Sequence, residues 1–182
     1  VHKRMTIAAL ALILALPALA SAKDMTGRFG LGYFTDAAPI GLRYWFSPKL
    51  GVDLGFGFAS IDGVPSFPST TPATTESAMD ITLEAGLPYI IHSSERANLF
   101  LRAGGVLGIT DDRLLGGLTD ETWTTFDILL GPGAEVFFGD NFSLEGSAGL
   151  RINIVSPPVG DSLTSFGTEA ASVSELGFHY YF

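Results

Sequence analysis

The chain has 182 residues and no cysteine, so disulfides, thiolate metal ligands and a cysteine-linked lipid anchor are not expected. Its 10 basic residues stand against 19 acidic ones, a formal charge of −9, which argues against nucleic acid as a partner. Mean hydropathy is positive at +0.35, yet beyond the N-terminal segment no apolar run approaches the about 20 residues of a membrane-spanning helix. Apolar content without such helices points to strands.

The first residues read as a secretory signal peptide: Lys3 and Arg4, an apolar run from Ile7 to Leu16, then Pro17 and the small residues Ala20, Ser21 and Ala22. Cleavage is expected after Ala22, giving a leader over 1–22 and one domain over 23–182. Without Lys3 and Arg4 the balance becomes 8 basic against 19 acidic residues, or −11.

Period-two alternation marks eight strands in this domain. The first runs from about Gly27 to Thr35 and the second from Ile40 to Phe46, with a short turn at Asp36 to Pro39. The third, Leu50 to Ala59, is the clearest: Leu50, Val52, Leu54, Phe56 and Phe58 oppose Gly51, Asp53, Gly55 and Gly57. Ser60 to Ser77 reads as a long loop rich in Pro, Ser and Thr. The fourth strand, Ala78 to Ile91, turns through His92 to Arg96 into the fifth, Ala97 to Ile109. Thr110 to Glu121 is a second long loop. The sixth strand, Thr122 to Phe138, contains Pro132, where the missing N–H predicts a bulge or local bend. Gly139-Asp140-Asn141 is a tight turn into the seventh strand, Phe142 to Ile154; Val155 to Gly167 is the last long loop, and the eighth strand spans about Thr168 to Phe182.

The last strand, S-E-L-G-F-H-Y-Y-F, places Leu176, Phe178, Tyr180 and Phe182 on one face and Glu175, Gly177, His179 and Tyr181 on the other. The same segregation holds throughout. Arg28, Arg43, Asp53, Asp80, Glu84, Arg102, Asp127, Glu135, Glu145, Arg151 and Glu175 all share the parity opposite the apolar face. In a soluble eight-stranded carrier the apolar residues line the interior and the charges meet water. Here the charges are expected inside, paired in a lumen network with His179, because an isolated buried charge costs several kcal/mol. A charge facing lipid at mid-bilayer would cost roughly 2–4 kcal/mol. Tyr33, Tyr44, Phe46, Tyr89, Phe138, Phe142, Tyr180 and Phe182 fall near strand ends, where a membrane barrel carries aromatic girdles.

The leader, the eight alternating strands, the turns at Ser47-Pro48-Lys49 and Gly139-Asp140-Asn141, and the closing L-G-F-H-Y-Y-F together resemble the small outer-membrane β-barrels of the OmpA-like and OmpX-like family. The resemblance covers essentially all of 23–182 and implies an all-β, eight-stranded antiparallel up-and-down transmembrane barrel of a Gram-negative outer membrane. It implies both termini in the periplasm and long loops outside. By the same resemblance, Leu176, Phe178, Tyr180 and Phe182 match the C-terminal pattern read by the barrel assembly machinery. The chain given ends at Phe182, so the cell-wall tether of larger family members is not carried over.

No catalytic, cofactor-binding or metal-binding set is read from the sequence. His92-Ser93-Ser94-Glu95 has the residue types of a hydrolytic triad, but neighbours in a tight turn do not readily form a nucleophile, base and orienting group. Asp111, Asp112, Asp120 and Glu121 lack the spacing of a calcium loop. The expected role is therefore a non-enzymatic envelope or surface-interaction barrel, monomeric, in contact with outer-membrane lipid and lipopolysaccharide. A small barrel enzyme acting on outer-leaflet lipid is the alternative, and a narrow pore a weaker third, since eight strands leave a bore that side chains can fill.

Overall fold

The computed structural model describes residues 23–35, 38–65, 75–115, 121–167 and 173–182. The expected leader over 1–22 lies outside them. The described chain forms β1 (Phe29–Tyr33), β2 (Ile40–Trp45), β3 (Gly51–Pro65), β4 (Thr75–Ser93), β5 (Ala97–Asp111), β6 (Thr122–Phe137), β7 (Phe142–Ser156), β8 (Leu163–Gly167) and β9 (Val173–Tyr181). One 3₁₀ turn, Asp112–Leu115, follows β5. Among the described residues no helix is long and apolar enough to cross a membrane.

Each strand from β1 to β6 pairs antiparallel with the next. β9 pairs with both β7 and β1, which closes the sheet on itself. β8 pairs with Arg151 to Val155 of β7 and β9 with Phe142 to Gly149, so the two short strands occupy one position and the barrel has eight. Closure removes the unpaired strand edges that lipid would not satisfy.

The barrel is uneven in height. The β1–β2 ladder stops at Gly32 opposite Gly41, whereas β3 and β4 remain paired up to Pro65 opposite Thr75. Much of the loop expected over Ser60 to Ser77 is therefore a hairpin ribbon, with an irregularity at Asp62/Val64. The last loop is likewise shortened by the pairing of Leu163 to Gly167 with β7. Both stretches alternate too weakly to read as strands: Ala59 to Asp62 and Leu163 to Phe166 are exposed on both parities, so no period-two constraint acts on them.

Of the bulge or local bend expected at Pro132, the bulge does not form; the β6–β7 ladder is interrupted there instead. Leu101 opposite Pro132 keeps the β5–β6 register, and the β6–β7 ladder breaks after Leu130/Leu150 and resumes in the same register at Gly133/Ser147. A proline removes one donor but adds no residue, so it costs ladder bonds without shifting the register. Gly131 and Gly149 let the backbones close up beside the gap: a Cβ on Gly131 would lie 2.2 Å from the carbonyl oxygen of Ala148. The register shift in β4 falls instead between Ile90 and His92.

Candidate functional site: the barrel interior

The two faces of each strand meet different surroundings. On β3, Asp53 is fully buried while its neighbour Leu54 is 51% exposed. Ile40, Leu42, Phe56, Phe58, Leu83, Leu101, Phe126, Ile128, Leu144 and Phe178 continue the exposed apolar belt. Arg43, Glu84, Arg102, Asp127, Glu135, Glu145 and His179 are buried within. This is the reverse of a soluble carrier.

At the end where the short turns lie, Met25, Trp45, Ile90, Phe100, Phe137 and Tyr181 form an apolar plug. Lys23 lies against this end, with its ammonium 4.4 Å from the Phe137 ring and bonded to the carbonyls of Gly139 (2.9 Å) and Asp140 (3.0 Å). Partial desolvation lowers its pKa from the ordinary lysine value. Arg28 donates to the same Asp140 carbonyl at 2.8 Å, so it caps the turn end instead of entering the central network. Tyr44, Phe46, Tyr89, Phe138, Phe142, Tyr180 and Phe182 are exposed around this end of the belt. Tyr33 is half-buried and stacks on Phe178 at a centroid distance of 6.0 Å.

Above the plug lies a charge layer. Cross-strand pairing sets Arg43 directly opposite Asp53, and the guanidinium meets the carboxylate in two bonds of 2.6 and 2.7 Å. Arg43 also donates to both oxygens of Glu145, one at 3.1 Å, and stands 3.9 Å from Glu135. Arg102 bridges Asp53, at 3.1 Å, and Glu84. Breaking a buried pair of this kind by removing one partner costs about 3–5 kcal/mol, because the other charge is left uncompensated. Glu135 Oε1 accepts from Tyr181 at 2.6 Å and Ser143 at 2.7 Å.

Farther toward the loop end, Asp127 holds Arg151 and accepts from Asn153 at 2.6 Å, while Asp80 accepts from Thr110 at 2.6 Å. These form outlying pairs distinct from the central layer. The backbone of Glu175 pairs opposite Ser147, but its side chain lies outside the described residues. His179, expected on the same strand face as Glu175 and in the lumen network, has Nδ1 3.8 Å from Glu135 and 4.0 Å from Glu145.

Phe34 is an interior residue outside the expected lumen network, although it shares the parity of Arg28. The chain after β1 turns into the lumen, burying Phe34 and Ala38. The Phe34 ring meets His179 edge-on at 4.7 Å and lies 5.4 Å from the Arg43 guanidinium carbon. Gly41 makes room for it, since a Cβ there would lie 1.6 Å from Phe34 Cδ2. Thr35 adds a bond of 3.3 Å to Glu84. A pocket of about 20 Å³ beside Arg102, at the interrupted β6–β7 ladder, has room for about one water.

The residues with hydrolytic chemistry do not form a relay. Exposed His92 stands at the end of β4, Ser93 donates to Asn98 at 2.7 Å, and Ser94 exchanges bonds with Ala97. Of the loop acids, Asp111 holds Arg113 and Asp112 accepts from Trp123 at 2.6 Å. Asp120 lies outside the described residues.

No protein-family model and no curated protein matches the chain. Solved structures do. The N-terminal β-barrel domain of OprF from Pseudomonas aeruginosa aligns over 86% of this chain and 98% of its own, with 12% identity and a TM-score of 0.51. Ail, the attachment invasion locus protein of Yersinia pestis, aligns over 87% and 100% with 16% identity and a TM-score of 0.38. A major outer membrane protein from Thermus thermophilus aligns over 85% and 98% with 20% identity and a TM-score of 0.34. The antiparallel closure in eight positions, the exposed apolar belt, the charged interior and the likeness to the OprF barrel agree: the chain has the fold of the small eight-stranded outer-membrane β-barrels.

Proposed function

We propose that the protein is a non-enzymatic barrel of the outer membrane, with both termini in the periplasm and its interactions carried by the loop end. The observation that carries this reading is the filled lumen, sealed by the apolar plug, the charge layer and Phe34. With the interior committed to packing and the belt to lipid, recognition falls to the β3–β4 ribbon, the β5–β6 connection and the β7–β8 hairpin, which all rise from one end. Ile61, Leu115, Val159, Leu163 and Phe166 are exposed there. The partners proposed for these surfaces are lipopolysaccharide and other envelope or surface ligands.

A broad apolar groove of about 700 Å³ on the outer face, over Ala85 and Gly105, fits acyl-chain contact and supports placement in lipid. Glu84 behind it is tied to Arg102, which leaves a lipid-modifying reading without a free acid or base there. We also propose that the exposed Leu176, Phe178, Tyr180 and Phe182 form the signal for the barrel assembly machinery.

Orientation and loop function are tested together by protease digestion of intact cells. Cleavage within 66–74 with protection of an epitope joined after Phe182 is the expected pattern, and the opposite pattern would invert the assignment. In planar bilayers the purified barrel should give no large steady conductance; porin-sized steps would contradict the filled lumen. Phe182→Asp should lower the amount of folded, heat-modifiable barrel in the outer membrane while leaving secretion intact. Lipid A of unchanged acyl composition in a deletion strain is expected, whereas altered acyl chains would favour the enzyme.

A further inference from the structure

Glu135 on β6 and Glu145 on β7 lie directly opposite one another, both pointing into the lumen. Like charges in that arrangement repel. His179 on β9 completes a triangle: one ligand-capable atom from each residue falls within 4.8 Å of the other two. All three side chains are buried. Arg43 neutralises part of this site but leaves atoms unused. Among the described residues, neither ring nitrogen of His179 has a hydrogen-bond partner, and neither does Glu135 Oε2. A buried polar atom without a partner is costly, and the imidazole edge that faces the two carboxylates, with Nδ1 3.8 Å from Glu135 and 4.0 Å from Glu145, calls for a ligand between them.

Charge indicates which kind. With ionised carboxylates and a neutral imidazole, the connected layer sets Arg43 and Arg102 against Asp53, Glu84, Glu135 and Glu145, leaving two negative charges in excess. The other inward cations are engaged elsewhere: Arg151 on Asp127, Arg113 on Asp111, and Lys23 and Arg28 on turn carbonyls. We infer that Glu135, Glu145 and His179 form a binding site for one divalent first-row metal ion. The ion supplies the two missing charges, and an imidazole with two carboxylates is a donor set suited to zinc and its neighbours.

Tyr181 and Ser143 both donate to Glu135 Oε1, the oxygen 3.8 Å from His179 Nδ1, and so orient the carboxylate toward the imidazole; such outer partners tune metal affinity. Phe34 and Tyr181 hold the imidazole from two sides. Ligand atoms about 2.0–2.2 Å from a metal lie closer together than 4.8 Å, so side chains draw inward on binding. The ion would tie β9, the strand that closes the barrel, to β6 and β7.

The test uses the barrel over 23–182 carrying His92→Ala, which removes the exposed imidazole, folded in detergent with Zn²⁺ or with EDTA. About one zinc per barrel should survive gel filtration, and the folded band should persist to higher temperature than in the EDTA sample. Glu135→Gln and His179→Gln should keep the heat-modifiable band and lose the zinc. Co²⁺ in place of Zn²⁺ should give visible absorption in the parent, a readout that needs no further variant to fold. A parent that retains no zinc and shows no cobalt spectrum overturns the assignment. So does zinc retention equal to the parent's in both folded variants.

Discussion

The central charge layer and the β3–β4 ribbon are built on the same two strands, yet different constraints shape them. Around Asp53, Glu84 and Gly86 every second residue is buried in ion pairs or against them, and the intervening residues form an apolar outer face. Beyond Phe58, β3 runs on with Ala59 to Asp62 all exposed. Alternation therefore records burial, not strand formation as such. The barrel body is held by side chains and the ribbon by its backbone ladder, so substitutions should be severe in the first and mild in the second.

The largest effect is expected from Arg43→Met. Losing this guanidinium leaves Asp53 and Glu145 buried without their main partner, at a cost of about 3–5 kcal/mol in denaturant unfolding from lipid vesicles. A variant as stable as the parent would show that the layer is not a coupled network. Leu83→Arg comes next, at roughly 2–4 kcal/mol if the position lies near mid-bilayer; a neutral result would remove Leu83 from the lipid face. Gly41→Ala should cost about 1–3 kcal/mol by collision with Phe34. Adding Phe34→Ala should recover part of that loss, and strict additivity in the double variant would mean that Phe34 does not fill the space over Gly41.

The smallest effect is expected at the ribbon. Replacing 66–74 by a short Gly-Ser turn should change stability by less than about 1 kcal/mol, since closure entropy varies slowly with loop length. Surface binding should fall. Binding that survives this replacement but disappears in Glu135→Gln would move recognition inside the barrel.

The same distinction explains what the sequence made legible. Strand number, facing and the inward parity of Arg43, Asp53, Glu84, Arg102, Glu135, Glu145 and His179 follow from period two, because lipid and lumen both penalise the wrong residue. The ribbon ends carried no such penalty and read as loops. Partner choice inside the lumen was not legible either, since parity says that His179 points inward but not which strands face it across the barrel. The inward course of Phe34 had a faint signal in the glycines at 30, 32, 41, 55 and 57, which leave interior volume that some larger group must fill.

The central claim is that the apolar face meets lipid while the polar face is enclosed, and the two native tryptophans allow a direct test. Trp45 is fully buried in the plug, and Trp123 is half-buried with its indole N–H on Asp112. In vesicles of phospholipid brominated along the acyl chains, native emission should stay close to its value in unbrominated lipid, whereas an added Leu83→Trp should be strongly quenched. Strong quenching of the native pair with a bright, unquenched Leu83→Trp would contradict the account and place the apolar face inside.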